Sequence, residues 1–266
     1  MAGIRIPTRC LGSTGLVVSR LGLGLAALGR PAYITPGRKH DFGVRRSVAD
    51  LERRCHEMLD AAYAAGIRYF DAARSYGMAE DFLGTWLSAR NLPDDAVVIG
   101  SKWGYSYVGA WRLHAPVHEV KDLSLATLQR QLSESRARLG GRLQLYQIHS
   151  ATLESKVLES VDVLRELVRL RVNGLVIRLT ITGANLTRII QKDLQVWVDG
   201  ATPIQVVQAT WNLLERSAAT ALEEAKAAGW SVIVKEALAN GRLTERGGDE
   251  HMTVLRREAV ARGTTI

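Results

Sequence analysis

The stretch FDAARSYG, Phe70 to Gly77, decides how this chain is read. An acid closes a short apolar run, and a tyrosine follows it by five residues, next to a glycine. That order fits a buried strand opening into an active-site loop, and it also fits an ordinary loop after a strand. The choice rests on what surrounds it.

Working outward, short apolar runs alternate with longer amphipathic ones. CLGSTGLVV (10–18) has turn chemistry between two extended pieces and predicts a hairpin, and RLGLGLAALG (20–29) a first buried strand. In VADLERRCHEMLDAAYAAG (48–66) the apolar residues recur at helical spacing; Ser47 with Asp50 resembles a capping box, and Gly66 stands where a helix C-cap would. IRYFDAA, DAVVIGSK, LQLYQIH, GLVIRLTI, TPIQVVQAT and GWSVIVKEA predict further strands, separated by helical stretches that end with HMTVLRREAVAR. Seven strand-then-helix units are present and no eighth.

Strands apolar on both faces and joined by helices imply a parallel sheet, either open and doubly wound or closed as a barrel. Asp71, Lys102 and His149 each end a different successive strand, which describes a barrel site, whereas an open sheet gathers its ligand at one switch point. GLGLAALG (22–29) begins like a dinucleotide fingerprint, but its third glycine falls two positions late and reads better as close packing at a barrel strand. A single domain over 1–266 is expected.

Of 266 residues, 47% are hydrophobic and 23% charged, a globular profile. No run of about 18 apolar residues suggests a membrane span, and MAGIRIPTRC lacks the form of a secretory signal. Cys10 and Cys55 lie far apart, and a cytoplasmic location is expected. The net charge of +8 favours anionic ligands, but the basic residues are dispersed and no groove-reading motif accompanies them, so nucleic acid is not the expected partner. His114 and His118 have metal-pair spacing, yet Pro116 between them disfavours the helix that would align them; no metal is expected.

Reduction of a carbonyl needs a proton donor at the oxygen. A tyrosine serves if a neighbouring lysine favours its ionised form, an aspartate holds that lysine, and a histidine sets the angle of the substrate oxygen. Tyr76, Lys102, Asp71 and His149 supply these parts. FDAARSYG, VVIGSKWG and LYQIHSAT, with LGSTGLVVSRLGLG, VVQATWNLLE and VIVKEALANGRLT, resemble the aldo-keto reductases across nearly the whole chain. The resemblance implies an α/β (β/α)8 TIM-type barrel with an N-terminal β-hairpin. It implies an oxidoreductase passing hydride between NADP(H) and a carbonyl or alcohol, with Tyr76 as general acid/base. Lys102 tunes Tyr76, Asp71 pairs with Lys102, and His149 orients a small-molecule carbonyl substrate.

By the same resemblance Thr180, Gln208, Lys235, Glu236, Leu238 and Asn240 bind the cofactor. Lys235 replaces a frequent aromatic ring, and Arg178 stands where the family usually has glycine. An arginine there either strains a φ > 0 backbone or, turned inward, needs a paired acid or a bound anion. The sequence ends at Ile266, before the eighth unit that the resemblance implies, so weaker NADP binding is expected. A catalytically impaired barrel with a binding or regulatory role is the alternative. Finally, WGYSYVGAWRLHAPVHEV (103–120) is long for a connection, and its aromatics argue against disorder. It reads as a lid whose Trp103, Tyr107 and Trp111 form a substrate wall, or as a structural flap on the rim.

Overall fold

The computed structural model describes residues 6–32, 45–183, 185–244 and 250–264. Strands β1 (Thr8–Cys10) and β2 (Val17–Ser19) form the predicted antiparallel hairpin. Then come β3 (Leu23–Gly24), α1 (Val48–Ala64), β4 (Tyr69–Asp71), α2 (Ala79–Ala89) and β5 (Val98–Trp103). A second hairpin, β6 (Tyr105–Tyr107) with β7 (Glu119–Lys121), precedes α3 (Leu125–Leu139) and β8 (Leu143–Ala151). The chain continues through α4 (Val161–Val172), β9 (Val176–Ile181), α5 (Leu186–Leu194), β10 (Val206–Thr210), α6 (Ala219–Ala227), β11 (Ser231–Lys235) and α7 (Glu250–Ala261).

Seven strands make one parallel sheet in the order β3-β4-β5-β8-β9-β10-β11. With the inserted hairpin left out, that is chain order. A doubly wound sheet reverses direction at its switch point. This one never does, and it is the sheet of a (β/α)8-type barrel with one unit fewer. Among the described residues, β3 and β11 each have a single sheet neighbour.

Local chemistry accounts for the helices. Ser47 Oγ accepts from the backbone N–H of Asp50 (3.1 Å) and donates to its carboxylate (2.6 Å), so Ser47 is the N-cap of α1, with Asp50 tied to its hydroxyl rather than to its backbone N–H as in a full capping box. Leu51, Cys55 and Leu59, four residues apart, bury its inner face. Gly66 leaves the helix at φ +92°. Ser124 caps α3 in the same manner, through Thr127 N–H at 3.2 Å.

Alternation along the strands sorts their residues into two faces. Outward, Phe70, Ile99, Tyr146, Ile148, Ile177, Leu179 and Val207 join the helices in the main core. Inward, Tyr69, Val98, Leu145, Val176 and Val206 form one layer at the strand starts, and Leu11 and Val18 of the first hairpin pack against it. Two residues further along β4, β8, β9 and β10 the lining becomes polar, with Asp71, Gln147, Arg178 and Gln208, while β5 passes Gly100 before reaching Lys102, and that is where the site begins. The predicted first strand is shorter than expected. Only Leu23–Gly24 pairs with β4, and the glycine-rich remainder turns over the next loop.

Candidate active site

Asp71 closes β4 with its side chain inside the barrel. Lys102 Nζ, from β5, donates to Asp71 Oδ2 at 2.5 Å and to the carbonyl of Ala72 at 2.8 Å. Arg178, from β9, donates one N–H to Asp71 Oδ1 and another to the hydroxyl of Tyr69. Tyr69 in turn donates to Asp71 Oδ1 at 3.1 Å. Gly100 makes room for this cluster, since a Cβ there would lie 3.2 Å from both Asp71 Oδ1 and the Tyr69 hydroxyl. Burial alone would raise the Asp71 carboxyl, but Arg178 and Lys102 outweigh it and hold the group down at about 2. Burial brings Lys102 down to about 8 against the pull of Asp71, and the charge of Arg178 pushes the same way as burial.

Tyr76 sits in the loop after β4, its N–H on the carbonyl of Ala73 at 3.0 Å. Glycines fix this loop by close approach. A Cβ on Gly29 would lie 2.1 Å from the Tyr76 carbonyl oxygen, and one on Gly77 (φ +64°) would lie 2.4 Å from that of Gly29. The ammonium of Lys102 lies over the Tyr76 ring, 4.6 Å from its centroid. His149, near the end of β8, meets the same ring edge-on at 5.5 Å between centroids. Register shifts between Ile148 and Ala151, with Ser150 at φ +56°, so β8 bulges directly after His149. Burial first, then the charge of Lys102, hold His149 well below the ordinary histidine range, which leaves it neutral. Ser75 Oγ lies 3.4 Å from its Nδ1.

A buried strut carries the loop from behind. Arg74 pairs with Glu80 of α2 at 2.5 Å and with Glu134 of α3 at 2.9 Å. The other oxygen of Glu80 accepts from Ser101 of β5 (2.5 Å) and Ser135 of α3 (2.6 Å).

On the far side of the barrel, Thr180 donates to the amide oxygen of Gln208 at 2.9 Å, and Gln147 Nε2 approaches the same oxygen at 3.4 Å. That leaves the Gln208 amide nitrogen to donate. Lys235, ending β11, reaches Thr210 Oγ1 (3.0 Å) and Glu236 (2.8 Å). Glu236 and Asn240 hold positive φ, and Asn240 Nδ2 donates to Glu236 at 3.3 Å; Leu238 between them is exposed. A threonine hydroxyl and a glutamine amide at adjacent strand ends suit a carboxamide, so these residues fit a nicotinamide. Arg178 resolves as a buried strand residue with a paired acid; its φ is not positive, and the strain considered from sequence does not arise.

The long loop is a β-hairpin stitched across the site. Tyr105 meets the His149 ring edge-on at 5.1 Å, Lys121 Nζ donates to the carbonyl of Ser150 at 2.7 Å, and Glu119 pairs with Arg30 at 2.6 Å. Tyr107 accepts from the Trp111 N–H (3.1 Å), and the Trp111 indole donates to the Arg46 carbonyl (2.9 Å). Trp103 is a correction. β5 continues through it, alternation turns it toward the helices, and at 0% exposure it is a core residue rather than part of a substrate wall. Tyr69, Ser75 and Tyr105 were not singled out as site residues. Tyr69 was legible as the same-face neighbour of Asp71; Ser75 and Tyr105 depend on tertiary packing.

A parallel barrel sheet with its polar groups gathered at the strand C-termini defines the class of (β/α)8-type barrels. Within that class, the model of the Aldo/keto reductase family matches residues 21–260, and the chain belongs to this family of oxidoreductases. It is 27% identical to L-galactose dehydrogenase of Arabidopsis thaliana over 252 residues, covering 92% of this chain and 70% of that one. It is also 27% identical to the NADH-specific methylglyoxal reductase of Escherichia coli over 166 residues, 59% of this chain and 47% of that enzyme. The chain thus matches about half the length of that second relative. The holo form of an aldo-keto reductase from Bacillus halodurans superposes with a TM-score of 0.68 at 23% identity, covering 96% of this chain and 77% of that one, a likeness of fold. No helix among the described residues is long and apolar enough to cross a membrane.

Proposed function

We propose that the chain is an NADP(H)-dependent reductase of small carbonyl compounds, with Tyr76 as the proton donor. The observation that carries this reading is the convergence at the strand ends of the Tyr76 ring, the Lys102 ammonium and the His149 ring, with Asp71 behind the lysine. When bound, the nicotinamide cofactor supplies the hydride. Tyr76 delivers a proton to the carbonyl oxygen, and the ammonium of Lys102 beside its ring stabilises the phenolate left behind. If Ser75 donates to Nδ1 of the neutral His149, the imidazole proton resides on Nε2, where it hydrogen-bonds the substrate oxygen and fixes its direction toward Tyr76. Asp71 keeps Lys102 charged and in place. Thr180 and Gln208 hold the carboxamide, Lys235 stands at the nicotinamide face, and Glu236, Leu238 and Asn240 lie toward the pyrophosphate. The hairpin bearing Tyr105, Tyr107 and Trp111 shapes the entrance for substrate.

The test is an NADPH titration by intrinsic tryptophan fluorescence, followed by cofactor consumption with a panel of aldehydes and ketones, each compared with NADH. Micromolar binding and turnover on any member support the reading. A second reading, a barrel that binds ligand without turnover, draws on Lys235, whose amine is already engaged by Thr210 and Glu236 and offers no ring to stack on a nicotinamide. No binding of either cofactor at millimolar concentration would favour it.

A further inference from the structure

One carboxylate in the barrel serves two cations. Lys102 occupies Oδ2 of Asp71, while Arg178 and Tyr69 occupy Oδ1. Arg178 is 0% exposed and a guanidinium keeps its proton at any working pH, so its charge is a fixture of the interior. The groups facing Lys102 come from every side. Asp71 and Tyr69 come from β4, Tyr76 from the following loop, His149 from β8, Arg178 from β9 and Lys235 from β11. Of these, Asp71 alone is anionic at neutral pH, because burial keeps the Tyr69 phenol protonated and Lys235 is itself cationic.

We propose that Arg178 is a positioning residue that claims half of the Asp71 carboxylate and thereby loosens the hold of Lys102 on its proton. The inference deepens the reductase reading, on which it rests for the role of Lys102. A lysine paired with an undivided carboxylate stays an ammonium far into the alkaline range. Sharing that carboxylate with a permanent cation removes part of the attraction and adds a repulsion across the same few ångströms. Burial is the largest cause of the depression, Arg178 adds to it against the pull of Asp71, and Lys102 falls to about 8. Above that pH the amine is neutral, Asp71 remains compensated by Arg178, and the phenolate of Tyr76 loses the charge beside it. Arg178 therefore brings down the upper pH limit to turnover, beyond what burial alone does, without touching substrate.

The experiment is a ¹³C NMR titration of the whole protein carrying ε-labelled lysine, with the Lys102 signal assigned from its absence in Lys102→Met. It compares the parent with Arg178→Met, Arg178→Gln and Arg178→Lys. Methionine removes the charge at similar length. Glutamine keeps a hydrogen-bonding group and is the neutral variant to read if methionine does not fold. Lysine retains the charge. Removing Arg178 leaves Asp71 with Lys102 and Tyr69, so no acid is stranded. The expected midpoint for Lys102 is about 8 in the parent. It should rise by on the order of one unit in the neutral variants and stay near the parental value in Arg178→Lys. A parental midpoint near the ordinary lysine value of about 10.4, or equal midpoints in the parent and the neutral variants, overturns the proposal. In turnover, the alkaline limb of the kcat profile should move up with the midpoint; a limb that stays put while the midpoint moves removes the positioning role. The titration needs no turnover. A midpoint that shifts in a protein reducing no carbonyl compound therefore upholds the charge sharing and sinks the reductase reading instead.

Discussion

The two halves of the barrel are built to different tolerances. In the first, β4, β5 and β8 bring Asp71, Lys102, Tyr76 and His149 together, and glycines at 29, 77 and 100 exist to let backbone and carboxylate approach one another. In the second, β9, β10 and β11 keep Thr180 and Gln208 hydrogen-bonded but carry Arg178 and Lys235 where the family resemblance gives a glycine and, often, an aromatic ring. Asp71 joins the halves, holding Lys102 with one oxygen and Arg178 with the other. On the proposed reading, one half is constrained by proton chemistry, in which misplacement is costly, while the other would hold a large ligand through many modest contacts and so absorb substitutions.

The comparison breaks most decisively at Tyr76. Tyr76→Phe should lower kcat by about 10²–10⁴-fold, the usual worth of a positioned proton donor, with an unchanged circular dichroism spectrum. A parental rate would remove the first half from the chemistry. Next in size is Asp71, which should be measured as the stability gap to Asp71→Asn in urea. Its folded-state pKa is depressed to about 2, so its contribution is complete above the unfolded value and is lost as pH falls through about 2. The gap should therefore be constant from pH 7 to 5 and shrink by on the order of 2 kcal/mol below about pH 4; a gap that closes between pH 7 and 5 contradicts the shared carboxylate.

The second half should respond more gently. Thr180→Val removes one donor to Gln208 and one hydroxyl from the proposed carboxamide site, and NADPH affinity should fall by roughly fivefold, about 1 kcal/mol, with kcat little changed. A loss in kcat alone would move Thr180 into the chemical half. Lys235→Tyr, supplying a ring, should tighten cofactor binding by a few-fold, about 0.5–1.5 kcal/mol, as read by the same fluorescence titration; weaker binding would mean that the amine itself contacts the cofactor.

Alternation and capping made most of this legible. The strands, the α1 cap and the strand-end groups Asp71, Lys102 and His149 follow from period-two patterning and Ser47–Asp50, whereas Arg178 left backbone strain, a paired acid and a bound anion all open, of which the structure shows the paired acid. Three things did not follow. The stretch 20–29 is apolar enough for a full strand, but only Leu23–Gly24 pairs, and its last glycine, Gly29, serves the close contact with Tyr76 and Ala79. Trp103 reads as loop because an aromatic-rich connection follows it, yet the strand runs one residue further and buries it. The hairpin β6–β7 pairs residues twelve to sixteen apart, beyond the reach of local turn signals, and its docking on Ser150 and Arg30 is purely tertiary.

The Glu80 carboxylate gives the molecule a mechanical lever. It is 1% exposed and gathers donors from a strand, a helix and the tyrosine loop at once, so none of the three can shift without leaving a sealed negative charge short of a partner. Ser135 belongs to a helix on the outer wall, and removing its hydroxyl would take one donor from the carboxylate that also holds Arg74 of the tyrosine loop. On the proposed reading, distant edits on that wall offer a way to retune proton delivery while every strand-end group keeps its identity.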